Sequence, residues 1–299
     1  MHLTIPSDGH MVVCYDGSPA AQWALLWAVA VSQAFGAALR IVHAVELDLV
    51  PSRRVYALRP LSPPLETVAE TLVGGPSTWS GQPMARSRVR AVHAFGGAAG
   101  ELVDASMTAE LVVMGTRGRG LRRNALARSS GSVSCAVAAH AYCPVVVLHD
   151  RGDHVRGDDD VPVPGPGREV VCALSAGEGE AHEYRAERIV STAARIAAAC
   201  SAQLRLVTVL PEPSPEPGPD DAVLQLPYAV DSLRRRHPGL AVTTEALHGE
   251  PVEVLTQTSR SCGVLVVGAP GHVGLRAAPS SSPAYRILHD ATCPVMLVP

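Results

Sequence analysis

Short apolar runs rich in Val, Ile and Leu recur along the chain, and the segments between them repeat apolar residues at helical spacing. In the first half, runs at 11–15, 39–45, 89–94, 111–114 and 145–148 predict five strands. In the second half, runs near 170–174, 204–210, 241–246, 264–267 and 295–298 predict five more. Between the first two runs, Ser18 stands where an N-cap is needed and Pro19 at the first helical position. Trp23, Leu26, Trp27 and Ala30 follow at i, i+3, i+4 and i+7, which predicts a helix that lays those four on the sheet. Alanines together with Ile189 and Val190 predict a matching helix over 181–200. Strand and helix patterns that alternate in this way build βαβ units, and therefore a parallel sheet flanked by helices. Prolines at 51, 60, 63, 64, 76 and 83 interrupt the rhythm and predict a long irregular excursion with one short helix near 65–73. Residues 211–219 form a weaker counterpart.

The chain is written twice. L-V-V-M-G at 111–115 is followed by Gly118, Gly131-Ser132 and C-P-V-V-V-L at 143–148. L-V-V-G at 265–268 is followed by Gly271, Ser281-Ser282 and C-P-V-M-L-V at 293–298. The step from Gly131 to Cys143 equals that from Ser281 to Cys293. Residues 149–168, rich in Asp, Pro and Gly, read as a connector. The expected organisation is a domain over 1–150, a linker over 151–168 and a second domain over 169–299.

Length and composition narrow the classes. The 299 residues suffice for about two domains. With 47% hydrophobic and 18% charged residues the chain is expected to fold rather than stay disordered. The longest apolar run, 23–31, is far shorter than the roughly 20 residues that cross a bilayer, and the N-terminal residues lack the pattern of a signal peptide, so a cytoplasmic protein is expected. Seven cysteines form an odd set without a C-x-x-C pair, and read as small core residues in a reducing compartment. The net charge of −3 offers no basic footprint for nucleic acid. All 25 basic residues are arginine, so the lysine that a P-loop places on the phosphates is missing. Neither H-E-x-x-H nor G-x-S-x-G occurs.

The candidate chemistry lies where the predicted strands end. In an open parallel sheet the ligand crevice forms beyond the carboxyl ends of the strands. C-Y-D-G-S at 14–18 leaves the first strand, and M-G-T-R-G-R-G at 114–120 leaves the fourth. Glycines allow close backbone approach, and Gly131-Ser132-Val133-Ser134 would open a helix whose free N–H groups suit phosphate oxygens. A dinucleotide fingerprint is not met, because position 123 is arginine and the loop follows the fourth strand.

These motifs resemble the universal stress protein family in its tandem form. The resemblance is carried by D-G-S-P at 16–19, L-R-I-V-H-A at 39–44, V-V-M-G-T-R-G-R-G at 112–120, G-S-V-S at 131–134 and C-P-V-V-V-L at 143–148. It implies an α/β fold of five parallel strands in the order 3-2-1-4-5 in each half, with the halves docked as a pseudo-dimer through 145–148 and 295–298. A homodimer is a further possibility of the same kind. It also implies ATP as ligand, with or without magnesium. The family's base and ribose contacts fall on Cys14, Asp16 and Ala44, and its phosphate contacts on Gly115, Arg117, Gly118, Gly131, Ser132, Val133 and Ser134. Two departures stand out. Twelve residues rather than nine separate Gly118 from Gly131, and in the second half Ser281 replaces a glycine while Leu174 is taken as the counterpart of Asp16.

Each of these residues also has a plainer reading. Asp16 could only shape a turn, although Ser18 as cap is expected to leave its carboxylate free. The glycine loop could be a tight turn, the arginines near 117–128 a solvated surface, and His43 and His93 satisfied structural histidines. Cys143 and Cys293 read as core packing, with redox sensing as the alternative. The expected function is a binding module that holds an adenine nucleotide in the first domain. The alternatives are an interaction protein without nucleotide and an ATP hydrolase, for which no acid/base pair or carboxylate cluster is visible in the sequence.

Overall fold

A computed structural model describes residues 9–45, 61, 63–74, 83–116, 133–149, 161–175, 180–210, 230–269 and 282–299. The chain divides into unit 1, Met1–Val161, and unit 2, Pro162–Pro299. The expected excursion over 51–83 falls largely outside the described residues, as do 211–219 and residues 151–160 of the expected linker.

Unit 1 runs β1 (His10–Cys14), α1 (Pro19–Phe35), β2 (Ala38–Val45), α2 (Leu65–Gly74), a 3-10 turn (Arg86–Arg88), β3 (Val89–Phe95), α3 (Ala98–Ser106), β4 (Leu111–Gly115), α4 (Val133–His140) and β5 (Val145–Leu148). All its strand pairings are parallel, in the order β3-β2-β1-β4-β5. Unit 2 repeats the plan with β6 (Val170–Leu174), α5 (Glu180–Ala199), β7 (Leu204–Leu210), helical residues 230–236 (α6), β8 (Val242–His248), α7 (Pro251–Thr258), β9 (Val264–Gly268), α8 (Pro283–Asp290) and β10 (Val295–Val298). Its order is β8-β7-β6-β9-β10, again parallel throughout. Strand order reverses at β1 and at β6, the topological position at which open parallel sheets take their ligands.

Local signals place α1 as expected at its start: Ser18 caps it by accepting from the Ala21 N–H at 3.2 Å, and Pro19 opens it. Of the four residues expected on the sheet, only Trp27 is fully buried. Ala20, Ala24, Trp27, Ala28 and Val31 are fully buried, whereas Trp23, Leu26 and Ala30 are only half-buried. The helix is apolar nearly all round, so periodicity alone could not choose the face, and the small alanines win because they let the helix sit close to the sheet. A Cβ added at Gly115 would stand 2.6 Å from the Ala20 Cβ and 2.7 Å from the Ala20 carbonyl carbon. Parallel register pairs Met11 with both Leu39 and Leu111, so Gly115 and His43 point to one face of the sheet. Residues of β4 and β5 are buried almost throughout, as befits a sheet covered on both sides.

In unit 2 the turn at Gly165–Arg168, inside the expected linker, is closed by reciprocal backbone hydrogen bonds of 3.0 Å. Among the described residues, no helix is long and apolar enough to cross a membrane.

Candidate functional site at the carboxyl end of β1

Because β1 lies between β2 and β4, their carboxyl ends converge. Cys14 closes β1 opposite Val42, Ala44 lies two residues further along β2, and Gly115 ends β4. Beyond the ladder the Tyr15 N–H donates to the Val42 carbonyl at 2.8 Å. Asp16 then accepts from the Ser18 N–H through Oδ1 at 2.9 Å, and Gly17 between them takes φ 74°, the left-handed region where a Cβ is disfavoured. The expectation that capping by Ser18 leaves the Asp16 carboxylate free is therefore corrected. One oxygen holds the turn, because a carboxylate two residues ahead of an unpaired N–H is the nearest acceptor for it.

The half-exposed Asp16 carboxylate still acts on its surroundings. Burial first, and the charge of Asp16 second, push the Cys14 thiol up to about 12. Cys14 is thus a neutral thiol at physiological pH, neither a nucleophile nor a metal-binding thiolate. Burial first, and the neighbouring His93 second, lower His43, while Asp16 opposes them. His43 and His93 are register partners with ring centroids 5.7 Å apart in an edge arrangement, and His93 Nε2 lies 3.0 Å from Glu66 Oε1 at the start of α2. The reading of both histidines as satisfied holds for His93 alone, since the buried Nδ1 of His43 has no hydrogen-bond partner.

Of the residues expected to hold phosphate, Gly115 has a packing reason of its own, the close seat of Ala20. Thr116 follows it, donating to the Leu148 carbonyl at 2.8 Å. Arg117, Gly118, Gly131 and Ser132 lie outside the described residues, as does the loop over 122–130. Val133 opens α4 and Ser134 is buried in its first turn. The structure thus brings Cys14, Asp16, Ala44 and Gly115 to one end of three adjacent strands, with α4 beginning at Val133.

Unit 2 allows a residue-by-residue comparison through its register. Met11 pairs with Leu111 at the start of β4, and Val170 pairs with Val264 at the start of β9, so Val170 corresponds to Met11. The pairings of Met11 with Leu39 and Val170 with Leu204 agree. Ser175, not Leu174, is then the counterpart of Asp16, and Leu174 matches Tyr15. This corrects the sequence alignment by one residue. An apolar strand ending in Ala-Leu-Ser carries no mark of where the ladder stops, and only pairing supplies it. The Ser175 hydroxyl can donate or accept a hydrogen bond but carries no charge. His182 Nε2 lies 3.0 Å from the Ser175 carbonyl. Gly271 and Ser281 fall outside the described residues. Among the described residues, no three His, Cys, Asp or Glu side chains converge as a metal site.

The family model described as universal stress protein family matches residues 9–149 and 182–299. Universal stress protein Rv2005c of Mycobacterium tuberculosis is 30% identical over 207 residues, covering 66% of this chain and 64% of that protein, a little less than two thirds of its length. Universal stress protein Rv2623 of the same organism is 27% identical over 308 residues, covering 96% of this chain and 95% of that protein. Among solved structures, a universal stress protein from Archaeoglobus fulgidus superposes with a TM-score of 0.62 at 15% identity, covering 97% of this chain and 95% of that one, a likeness of fold.

Proposed function

The chain belongs to the universal stress protein family, and on that premise we propose that it is a stress-response regulatory protein that binds an adenine nucleotide, with ATP held in the first domain, residues 1–150. The observation that carries the reading is the half-exposed Asp16 carboxylate beside the neutral thiol of Cys14 at the strand-order reversal. The Asp16 carboxylate is an acceptor suited to a ribose hydroxyl. Cys14 and the small Ala44 offer an uncharged, uncrowded wall for a purine. The phosphates would lie against Gly115, Arg117, Gly118, Gly131, Ser132, Val133 and Ser134, where free N–H groups at the start of α4 favour anions. A magnesium ion would accompany the phosphates rather than have a protein cage of its own.

In the second domain, residues 169–299 beyond a linker over 151–168, the hydroxyl of Ser175 replaces the carboxylate, and that site stays empty. The apolar runs at 145–148 and 295–298 support docking of the two domains as a pseudo-dimer, since each would otherwise be an exposed apolar edge. Occupancy, rather than turnover, is the output passed to partners.

Calorimetry of ATP on the full chain tests this. Asp16→Asn keeps an oxygen for the Ser18 N–H while removing the charge, and Asp16→Ala removes both. Each should weaken binding, by about 1–3 kcal/mol for the loss of a hydrogen bond from a charged group. Unchanged affinity in Asp16→Asn takes the carboxylate out of the site. No binding at millimolar ATP favours an interaction protein, and steady phosphate release favours a hydrolase.

A further inference from the structure

Two cysteines of unit 2 that play no part in the nucleotide reading lie against each other. Cys262 follows the turn that ends α7, Cys293 precedes β10, and both are buried. Their sulfurs are 3.3 Å apart, with Cys262 donating to Cys293 and Cys293 donating to the Pro294 carbonyl at 3.3 Å. Both are free thiols. A disulfide needs a sulfur separation of about 2.0 Å, so the two sulfurs must approach by about 1.3 Å. We infer that Cys262 and Cys293 are an oxidation site, a dithiol that a peroxide converts to an intramolecular disulfide bracing the start of β10 to the loop before β9.

The chemistry balances with hydrogen peroxide as the two-electron oxidant. Cys262, 4% exposed against 1% for Cys293, supplies the attacking sulfur, and its proton leaves as it attacks. The Cys262 sulfur attacks one peroxide oxygen, the O–O bond breaks, and a sulfenic acid forms with release of hydroxide, which takes up the thiol proton as water. The Cys293 sulfur then attacks the Cys262 sulfur, its proton leaves with the hydroxyl as a second water, and the S–S bond forms. Two thiols are oxidised and one peroxide is reduced to two waters.

Unit 1 carries the contrast within the same chain. Cys143 occupies the place of Cys293, donating to the Pro144 carbonyl at 3.5 Å, but Ala109 stands where unit 2 has Cys262. The fold therefore already tolerates an Ala–Cys pair here, which makes Cys262→Ala a mild variant.

The test is peroxide treatment of the full chain, an acid quench, alkylation after denaturation and mass spectrometry of the peptides. The expected result is one linked pair joining Cys262 to Cys293, lighter by two hydrogens and restored by dithiothreitol, with the melting temperature raised by about 5–10 °C as the cross-link restricts the unfolded chain. Cys262→Ala should fold, form no link and show no such rise. Recovery of both thiols free across the peroxide range in which the chain stays folded, or a link from either to another cysteine, overturns the inference.

Discussion

The two units agree at one end of their sheets and differ at the other. At the amino ends of the last strands, Ser106 donates to the Val103 carbonyl at 2.6 Å and accepts from the Tyr142 N–H at 2.9 Å. Ser259 donates to the Thr256 carbonyl at 2.6 Å and accepts from the Thr292 N–H at 2.9 Å. Each serine is 1% exposed, so the same buried hydroxyl ties the end of a helix to the C-P-V segment in both units. At the carboxyl ends the register matches Asp16 with Ser175, His43 with Thr208 and His93 with Ala246. The frame is repeated beneath an end whose polar groups are not, so the shared hydroxyl belongs to the fold and the difference lies in the side chains that the strands carry at their carboxyl ends.

Five substitutions in three sets sharpen that comparison, beginning with the largest effect. A Cβ at Gly115 meets backbone atoms of Ala20, whereas at Gly268 it meets the Cδ1 of Ile189 at 2.9 Å, the far end of a flexible side chain. Gly115→Ala should therefore destabilise unit 1 by about 2–3 kcal/mol, and Gly268→Ala should cost unit 2 about 1 kcal/mol or less. All three tryptophans lie at 23, 27 and 79, so tryptophan fluorescence in urea reports on unit 1, and hydrogen exchange reports on unit 2. Equal costs would show that α1 and α5 are seated alike.

The next effect concerns the shared frame. Ser106→Ala and Ser259→Ala each remove the acceptor of a part-buried backbone N–H, and each should cost about 1–3 kcal/mol. The two values should lie within about 1 kcal/mol of each other, since the geometry repeats. A large cost in one unit and none in the other, followed by hydrogen exchange, would break the equivalence.

The smallest effect is in pH. Burial and His93 place His43 below its ordinary value of 6.5 in the folded chain, so between the two values the unfolded chain binds more protons. Stability of unit 1 therefore falls as pH drops through about 6.5 and levels off below the folded value. His43→Gln should flatten that fall in urea titrations at pH 5 to 7.5, and Thr208 in unit 2 contributes nothing comparable. An unaltered pH profile in His43→Gln would assign the acid sensitivity of unit 1 elsewhere, with His10, also lowered by burial, as the next residue to replace.

The nine-residue apolar run in α1 shows where one-dimensional pattern stops being informative. Its start is legible, because Ser18 and Pro19 act within one turn, but of Trp23, Leu26, Trp27 and Ala30 only Trp27 is fully buried, beside Ala20, Ala24 and Ala28. The ten strands and the repeat were legible for the same local reason: β-branched runs and glycine punctuation are read within a few residues. Asp16 and Cys14 were legible as neighbours of a strand end. That Asp16 spends one oxygen on the Ser18 N–H, that Ser175 and not Leu174 is its counterpart, and that Cys262 touches Cys293 from 31 positions away were not. Those facts depend on register and on contacts between distant segments, and register is set by pairing across the sheet rather than by any residue in the strand itself.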